Sequence, residues 1–121
     1  MRVQMNNKPK YHLFKNTKYA LDGLLHAIKT ESSFRLELLS AIVIIPAIAI
    51  VPAGLEAKLV LLVTAFLVLI VELLNSAVEN VVDLVTKDIH PLAKSAKDIG
   101  ATAVMFSIVL HVSCWLFVLL F

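Results

Sequence analysis

Cysteine, glycine and charge are all scarce in this chain. Cys114 is the only cysteine, which excludes an intrachain disulfide framework and leaves it the part of a small apolar packing residue. With three glycines in all, there is neither a P-loop nor a GxGxxG phosphate cradle. Any nucleotide handled here is held without a glycine-rich loop. His12, His26 and His111 have no partner at metal-ligand spacing and read as surface or packing residues. No internal repeat is visible, so an inverted-repeat transporter gains no support. Residues 1–12 are polar and the first apolar run begins later, so no secretory signal is expected.

What is abundant is hydrocarbon. Hydrophobic residues make up 60% of the 121 and the mean hydropathy is +0.88. A soluble domain is nearer about 45–50% apolar, so the composition points to an all-α integral membrane protein. One domain covering 1–121 is expected, long enough for three spans of about 20 residues plus a surface segment. Residues 1–33 read as that segment. Phe14, Leu21, Leu24, Leu25 and Ile28 recur at helical spacing, with Lys15, Lys18, Asp22, His26 and Lys29 opposite. A basic face beside a leucine face fits a helix lying along anionic headgroups. The spans are expected at about 34–52, 57–86 and 99–121. Pro46 lies inside the first, which neighbouring helices tolerate. Pro52-Ala-Gly54 ends it, and Pro91 suits the first turn of a helix.

Seven Lys/Arg residues precede or include Arg35, and Lys87, Lys94 and Lys97 lie in the second loop, against Lys58 alone in the first. The positive-inside rule then puts the N-terminus and second loop in the cytoplasm.

The second span carries VELLNSAVENVVD at Val71–Asp83. At about 100° per residue, Asn75, Ser76, Glu79 and Asp83 all fall within about 60° of Glu72, and only Asn80 points elsewhere. The acids form one stripe. Counting about 20 residues inward from Lys58 leaves Glu72 roughly 9 Å below the cytoplasmic boundary, with Glu79 at the interface. Lys97 and Asp98 reach the level of Glu79, as do Glu31, Arg35 and Glu37 from the first span. An intramembrane acid is a functional-site hypothesis by default. Asn75 and Ser76 alone would also serve as glue between helices, and the outer charges as solvated interfacial groups.

Two interfacial carboxylates suit Mg²⁺, which keeps water and phosphate oxygens in its shell. A Mg²⁺-bound triphosphate beside a lysine supplies much of what phosphoryl transfer requires. A carboxylate withdrawn from water is a stronger base, and a lipid alcohol would present its hydroxyl near the depth of Glu72. The two layers then match one substrate from the bilayer and one from the cytoplasm.

Three segments also resemble a known family: Glu31, Phe34, Arg35 and Glu37 in E-x-x-F-R-x-E; Val71–Asp83; and AKDIGATAV at Ala96–Val104. They resemble the bacterial integral-membrane diacylglycerol kinases, over nearly the whole chain. The resemblance implies ATP-dependent phosphorylation of diacylglycerol to phosphatidic acid in the bacterial inner membrane. It implies Glu72 as general base with Asn75 positioning the reacting groups, and Glu31 and Glu79 holding ATP-bound Mg²⁺. Tyr19, Asp88, Ile89, His90, Lys97 and Asp98 match nucleotide-contacting positions. His12 stands where well-known members carry an arginine that contacts ATP. Arg35, Lys58 and Ala101, with Glu72, match lipid-contacting positions. Leu21-Asp22 replaces a Trp-Lys pair. A homotrimer with shared sites is implied, and no nucleic-acid partner. Undecaprenol as acceptor, a small proton-coupled exporter using Glu72, and a structural assembly subunit are the competing readings.

Overall fold

A computed structural model of the protein describes residues 12–121. The basic stretch 1–10, expected to be disordered or loosely bound to a surface, lies outside the described residues. Four helices follow: α1 Leu13–Thr30, α2 Ser32–Ile50, α3 Leu55–Val85 and α4 Pro91–Leu120. The last three are long and apolar enough to cross a membrane, and no strand occurs among the described residues. The expected surface helix and three spans are all present.

The connections are short and each is fastened chemically. A single extended residue, Glu31, separates α1 from α2. The Arg35 guanidinium reaches back from α2, donating from Nη1 to the carbonyls of Ile28 (2.9 Å) and Lys29 (3.0 Å). These are among the last carbonyls of α1, which have no partner within their own helix. Between α2 and α3, Lys58 Nζ donates to the Ala49 carbonyl at 2.8 Å and performs the same service for α2.

The third connection opens the polar segment Lys87–Asp98, and α4 begins at Pro91, the residue expected in the first turn of a helix. The helix thus takes in residues 91–98 ahead of the apolar span expected from about 99. Proline at the first helical position loses no hydrogen bond and arrives with a helical φ. His90 completes the start, its Nδ1 accepting from the Leu92 N–H at 3.1 Å. The polar residues 91–98 are therefore the first two turns of α4. Polarity alone cannot distinguish a loop from a helix end standing in water.

The 31 residues of α3 extend about 46 Å, well past a hydrocarbon core of about 30 Å. α3 packs most extensively on α4 and next on α2, while α1 meets α2 at the corner. Near the turn between α2 and α3, a small apolar core of Ile48, Val51, Leu61 and Ala65 is closed by Trp115 and Val118. Most other large apolar residues are exposed, among them Ile42, Val43, Val63, Phe106 and Leu119. In a bilayer, lipid tails cover such faces.

One polar network crosses the α3–α4 seam within the apolar depth. The Trp115 Nε1–H donates to His111 Nε2 at 3.1 Å, so that nitrogen carries no proton. Nδ1 is then the donor, to Thr64 Oγ1 at 2.7 Å, and the Thr64 hydroxyl passes its own proton to the Val60 carbonyl at 3.0 Å. Every polar atom of the imidazole is satisfied in its neutral form, and His111 is a packing residue as expected. Thr64→Val keeps the shape and orphans Nδ1–H. Interhelical hydrogen bonds in membranes contribute about 0.6 kcal/mol on average and up to about 1.7. We expect Thr64→Val to lower the unfolding free energy by about 1 kcal/mol. Denaturation of purified protein in mixed micelles measures this; an unchanged midpoint would show the bond contributes nothing.

Candidate active site

The stripe on α3 is buried at its centre. Glu72 is 5% exposed, Asn75 8% and Ser76 5%. Their spacing of three and four residues puts them on one ridge, continuing the ridge that begins with Leu61, Thr64 and Ala65. Towards the α3–α4 turn burial falls away: Glu79 is half-buried and Asp83 exposed. Burial thus separates Glu72 from Glu79 and Asp83 along one face of α3.

Asn75 sits between the layers. Its Nδ2 donates to Glu79 Oε1 at 3.4 Å, while its buried Oδ1 has no hydrogen-bond partner, nor has Ser76 Oγ. Gly100 of α4 lies directly against the Asn75 amide. Glu72 is within Coulombic reach of Glu79 and Glu31, and Glu37 within that of Glu72. Glu31 enters from the α1–α2 break and Glu37 from the second turn of α2. Glu37 Oε2 is buried without a partner, and the residue lines a cavity of about 230 Å³ with Ser40 and His111.

Glu31, Glu72 and Glu79 form no direct ion pair among the described residues, although Lys97 lies within Coulombic reach of Glu79. Two ion pairs occur there, Lys97–Asp83 at 2.6 Å and Lys94–Asp98 at 2.5 Å, and neither involves Glu31, Glu72 or Glu79. The Arg35 guanidinium is engaged by the carbonyls of α1. Unpaired carboxylates close to an aqueous boundary suit a hard cation. No cluster of three His, Cys, Asp or Glu side chains able to cage an ion occurs among the described residues. Magnesium fits such a donor set, because it is commonly held by one or two carboxylates together with water and phosphate oxygens.

Beyond Glu79 lies a polar cleft of about 290 Å³ around the α3–α4 turn. Asp88, Ile89, His90, Lys97 and Asp98, all singled out in the sequence as nucleotide contacts, line it together. Lys97 is held over the end of α3 by Asp83. Tyr19 on α1 and His12, the N-cap residue of α1, are exposed and outside this cleft. Glu31 instead borders a second cleft of about 340 Å³ between α1 and α3, with His26, Ser76 and Asn80.

The residues assigned to lipid are not gathered in one place. Arg35 braces the α1–α2 corner, and Ala101 is exposed on α4 beside Gly100. Lys58 caps α2 at the other end of the bundle, about 21 Å along α3 from Glu72. The contact of Gly100 with Asn75 is not visible in the sequence, although Gly100 lies within the AKDIGATAV segment. Thr64 does carry a signal: its helical angle falls about 20° from that of Asn75, so it faces the same neighbour, α4.

Residues 18–119 match a protein family described as Prokaryotic diacylglycerol kinase. Among curated proteins, the chain is 38% identical over 104 residues to "Diacylglycerol kinase" of Pseudomonas aeruginosa, covering 86% of this chain and 85% of the relative. It is 37% identical over 105 residues to the protein of that name in Haemophilus influenzae, covering 86% and 88%. The Escherichia coli protein of that name is 33% identical over 103 residues, covering 85% and 84%. Burial of the Glu72 ridge, the acid at Glu79 and the polar cleft beyond it stand on a chain that these likenesses span nearly end to end: it belongs to the prokaryotic diacylglycerol kinase family.

Proposed function

We propose that this protein transfers the γ-phosphoryl group of ATP to the hydroxyl of diacylglycerol, giving phosphatidic acid and ADP. The observation that carries this reading is the burial of Glu72 on a membrane-length helix, beside Asn75, about two turns below Glu79 and about three below the polar cleft. Family membership supports the reaction class.

Glu72 is the general base. It takes the proton of the lipid hydroxyl as that oxygen attacks the γ-phosphorus. The new P–O bond forms to the lipid, the bond from phosphorus to the β,γ-bridging oxygen breaks, and ADP carries away that electron pair. A base contributes about 10²–10⁴-fold when it is placed within reach of the proton it removes. Asn75 links this layer to the next through its bond to Glu79. Glu31 and Glu79 would hold magnesium, which when bound with ATP neutralises charge on the phosphates. Lys97, lining the cleft, offers a positive charge to the nucleotide, with Asp88, Ile89, His90 and Asp98 around it. Tyr19 and His12 reach the nucleotide from α1, and Arg35 and Ala101 meet the lipid near the inner face.

Cytoplasmic placement of α1 and of the α3–α4 turn is supported by the concentration of basic residues there. It puts the polar cleft on the side where ATP is found, in the bacterial inner membrane. The working unit is a homotrimer, with copies of this chain contributing to each site. Its support is the motif resemblance, which implies sites shared between copies.

Purified protein reconstituted in phospholipid, given labelled Mg²⁺-ATP and a panel of lipid alcohols, tests the reading. Labelled phosphatidic acid is expected, in three-copy particles by native mass. A strong preference for undecaprenol would overturn the acceptor, and full turnover by single copies the trimer. Proton-driven efflux without phosphate transfer would overturn the kinase.

A further inference from the structure

Gly100 has a role that its place in α4 does not explain. Glycine in the interior of a helix costs about 0.8–1.0 kcal/mol relative to alanine, and α4 runs unbroken through Gly100. The reason lies across the seam. A Cβ built on Gly100 would overlap Asn75 Oδ1 outright and come within 3.3 Å of Asn75 Cγ. Gly23 and Gly54, by contrast, have nothing within 4 Å of such an atom. Of the three glycines, only Gly100 has a neighbour in the space a side chain would fill.

The orphaned acceptor lies at the same contact. Oδ1 of Asn75 is buried without a hydrogen-bond partner, and the bare Gly100 backbone offers its Cα–H, a weak donor to oxygen. The other end of the amide donates to Glu79 Oε1 at 3.4 Å. That bond is long and holds the side chain loosely. Orientation of the amide therefore depends on what lies behind it. If the amide were flipped, an oxygen would face the Glu79 carboxylate and an N–H would face Gly100, leaving two groups badly placed.

We propose that Gly100 is a positioning residue for the phosphoryl transfer: its missing side chain lets α4 close on Asn75, fixing the amide with Nδ2 towards Glu79. This rests on the reading of Asn75 as part of the active site. Small residues at helix seams in membranes permit such close backbone approach. In this case the approach confines one polar side chain, between the base at Glu72 and the acid at Glu79.

Gly100→Ala tests it. The added methyl must turn the amide away or push α4 outward. Misplacement of a reacting group by about 1 Å costs up to about 10²-fold, so kcat is expected to fall about 10- to 100-fold with the KM for lipid little changed. The discriminating step is a cycle with Asn75→Ala, which removes the atoms in conflict. In that background Gly100→Ala is expected to change turnover by less than about twofold. A loss that persists undiminished without the Asn75 amide would show general disruption of packing and overturn the proposal, as would full activity of the single variant. The Asn75 side-chain amide resonances of protein labelled with ¹⁵N give a readout free of turnover. They are expected to shift in Gly100→Ala, and unmoved resonances would overturn the proposal. Shifted resonances with unchanged kcat would instead remove Asn75 from the reaction, and with it the reading of the site on which the proposal rests.

Discussion

Glu72→Gln is expected to lower lipid phosphorylation by about 10²–10⁴-fold, the contribution of a positioned general base, while the protein remains folded. The substitution keeps size and hydrogen-bonding shape and removes only the basic oxygen. It also has a consequence opposite to that of a damaging mutation. A charged group inside a bilayer costs about 2.5–3.5 kcal/mol on insertion scales, and Glu72 is 5% exposed with no ion pair. Replacing it with a neutral amide relieves that cost. Glu72→Gln is therefore expected to resist denaturation at least as well as the parent, even as turnover disappears. A residue retained against stability is one retained for chemistry. Two measurements on one preparation settle the matter: initial rate with Mg²⁺-ATP and diacylglycerol, and the denaturation midpoint. Normal turnover would make the stripe structural glue, and a collapsed midpoint would make the loss uninformative about the base.

Much of this architecture is legible in the sequence because a bilayer permits few solutions. Each spanning segment has to satisfy its own backbone, so runs of about 20 apolar residues become helices. Proline and glycine then mark where the helices stop, as Pro52 and Gly54 do here. The ends are less legible. Residues 91–98 are polar whether they form a loop or the wet end of a helix, and what decides is local chemistry, Pro91 in the first turn and His90 as its cap.

The site divides in the same way. Glu72, Asn75, Ser76 and Glu79 could be grouped from one helix alone, because helical angle and depth are both fixed by residue number. Contacts between helices could not. Gly100 meets Asn75, and His111 meets Thr64, only once the register of α3 against α4 is known. No periodicity within either helix encodes that register. Two basic residues assigned to lipid, Arg35 and Lys58, satisfy helix-end carbonyls within the chain. A sequence shows that such a residue carries charge, but not which of several acceptors it reaches.

Glu79→Gln separates the two layers functionally. Gln retains an oxygen able to accept from Asn75 Nδ2, so the bond now at 3.4 Å can survive and only the charge is lost. Removing one group that stabilises charge in a transition state costs about 10²–10³-fold, and turnover at fixed, moderate Mg²⁺ is expected to fall by that much. The magnesium dependence carries the sharper signal. Even second-shell partners of a metal change affinity by about 10- to 100-fold, so a carboxylate holding the ion is expected to raise the half-saturating Mg²⁺ concentration at least about tenfold. High Mg²⁺ then restores part of the activity of Glu79→Gln. It restores none to Glu72→Gln, because added metal cannot supply a base to the lipid hydroxyl. Titrating Mg²⁺ at constant ATP over both variants reads this difference directly. Superimposable titrations for Glu79→Gln and the parent would take Glu79 away from the metal and leave the amide bond as its only connection to the site. A rescue of Glu72→Gln by metal would collapse the two layers into one. The expected asymmetry, metal-sensitive at the boundary and metal-indifferent in the bilayer, is what a helix of about 46 Å makes possible by holding both acids on one face at different depths.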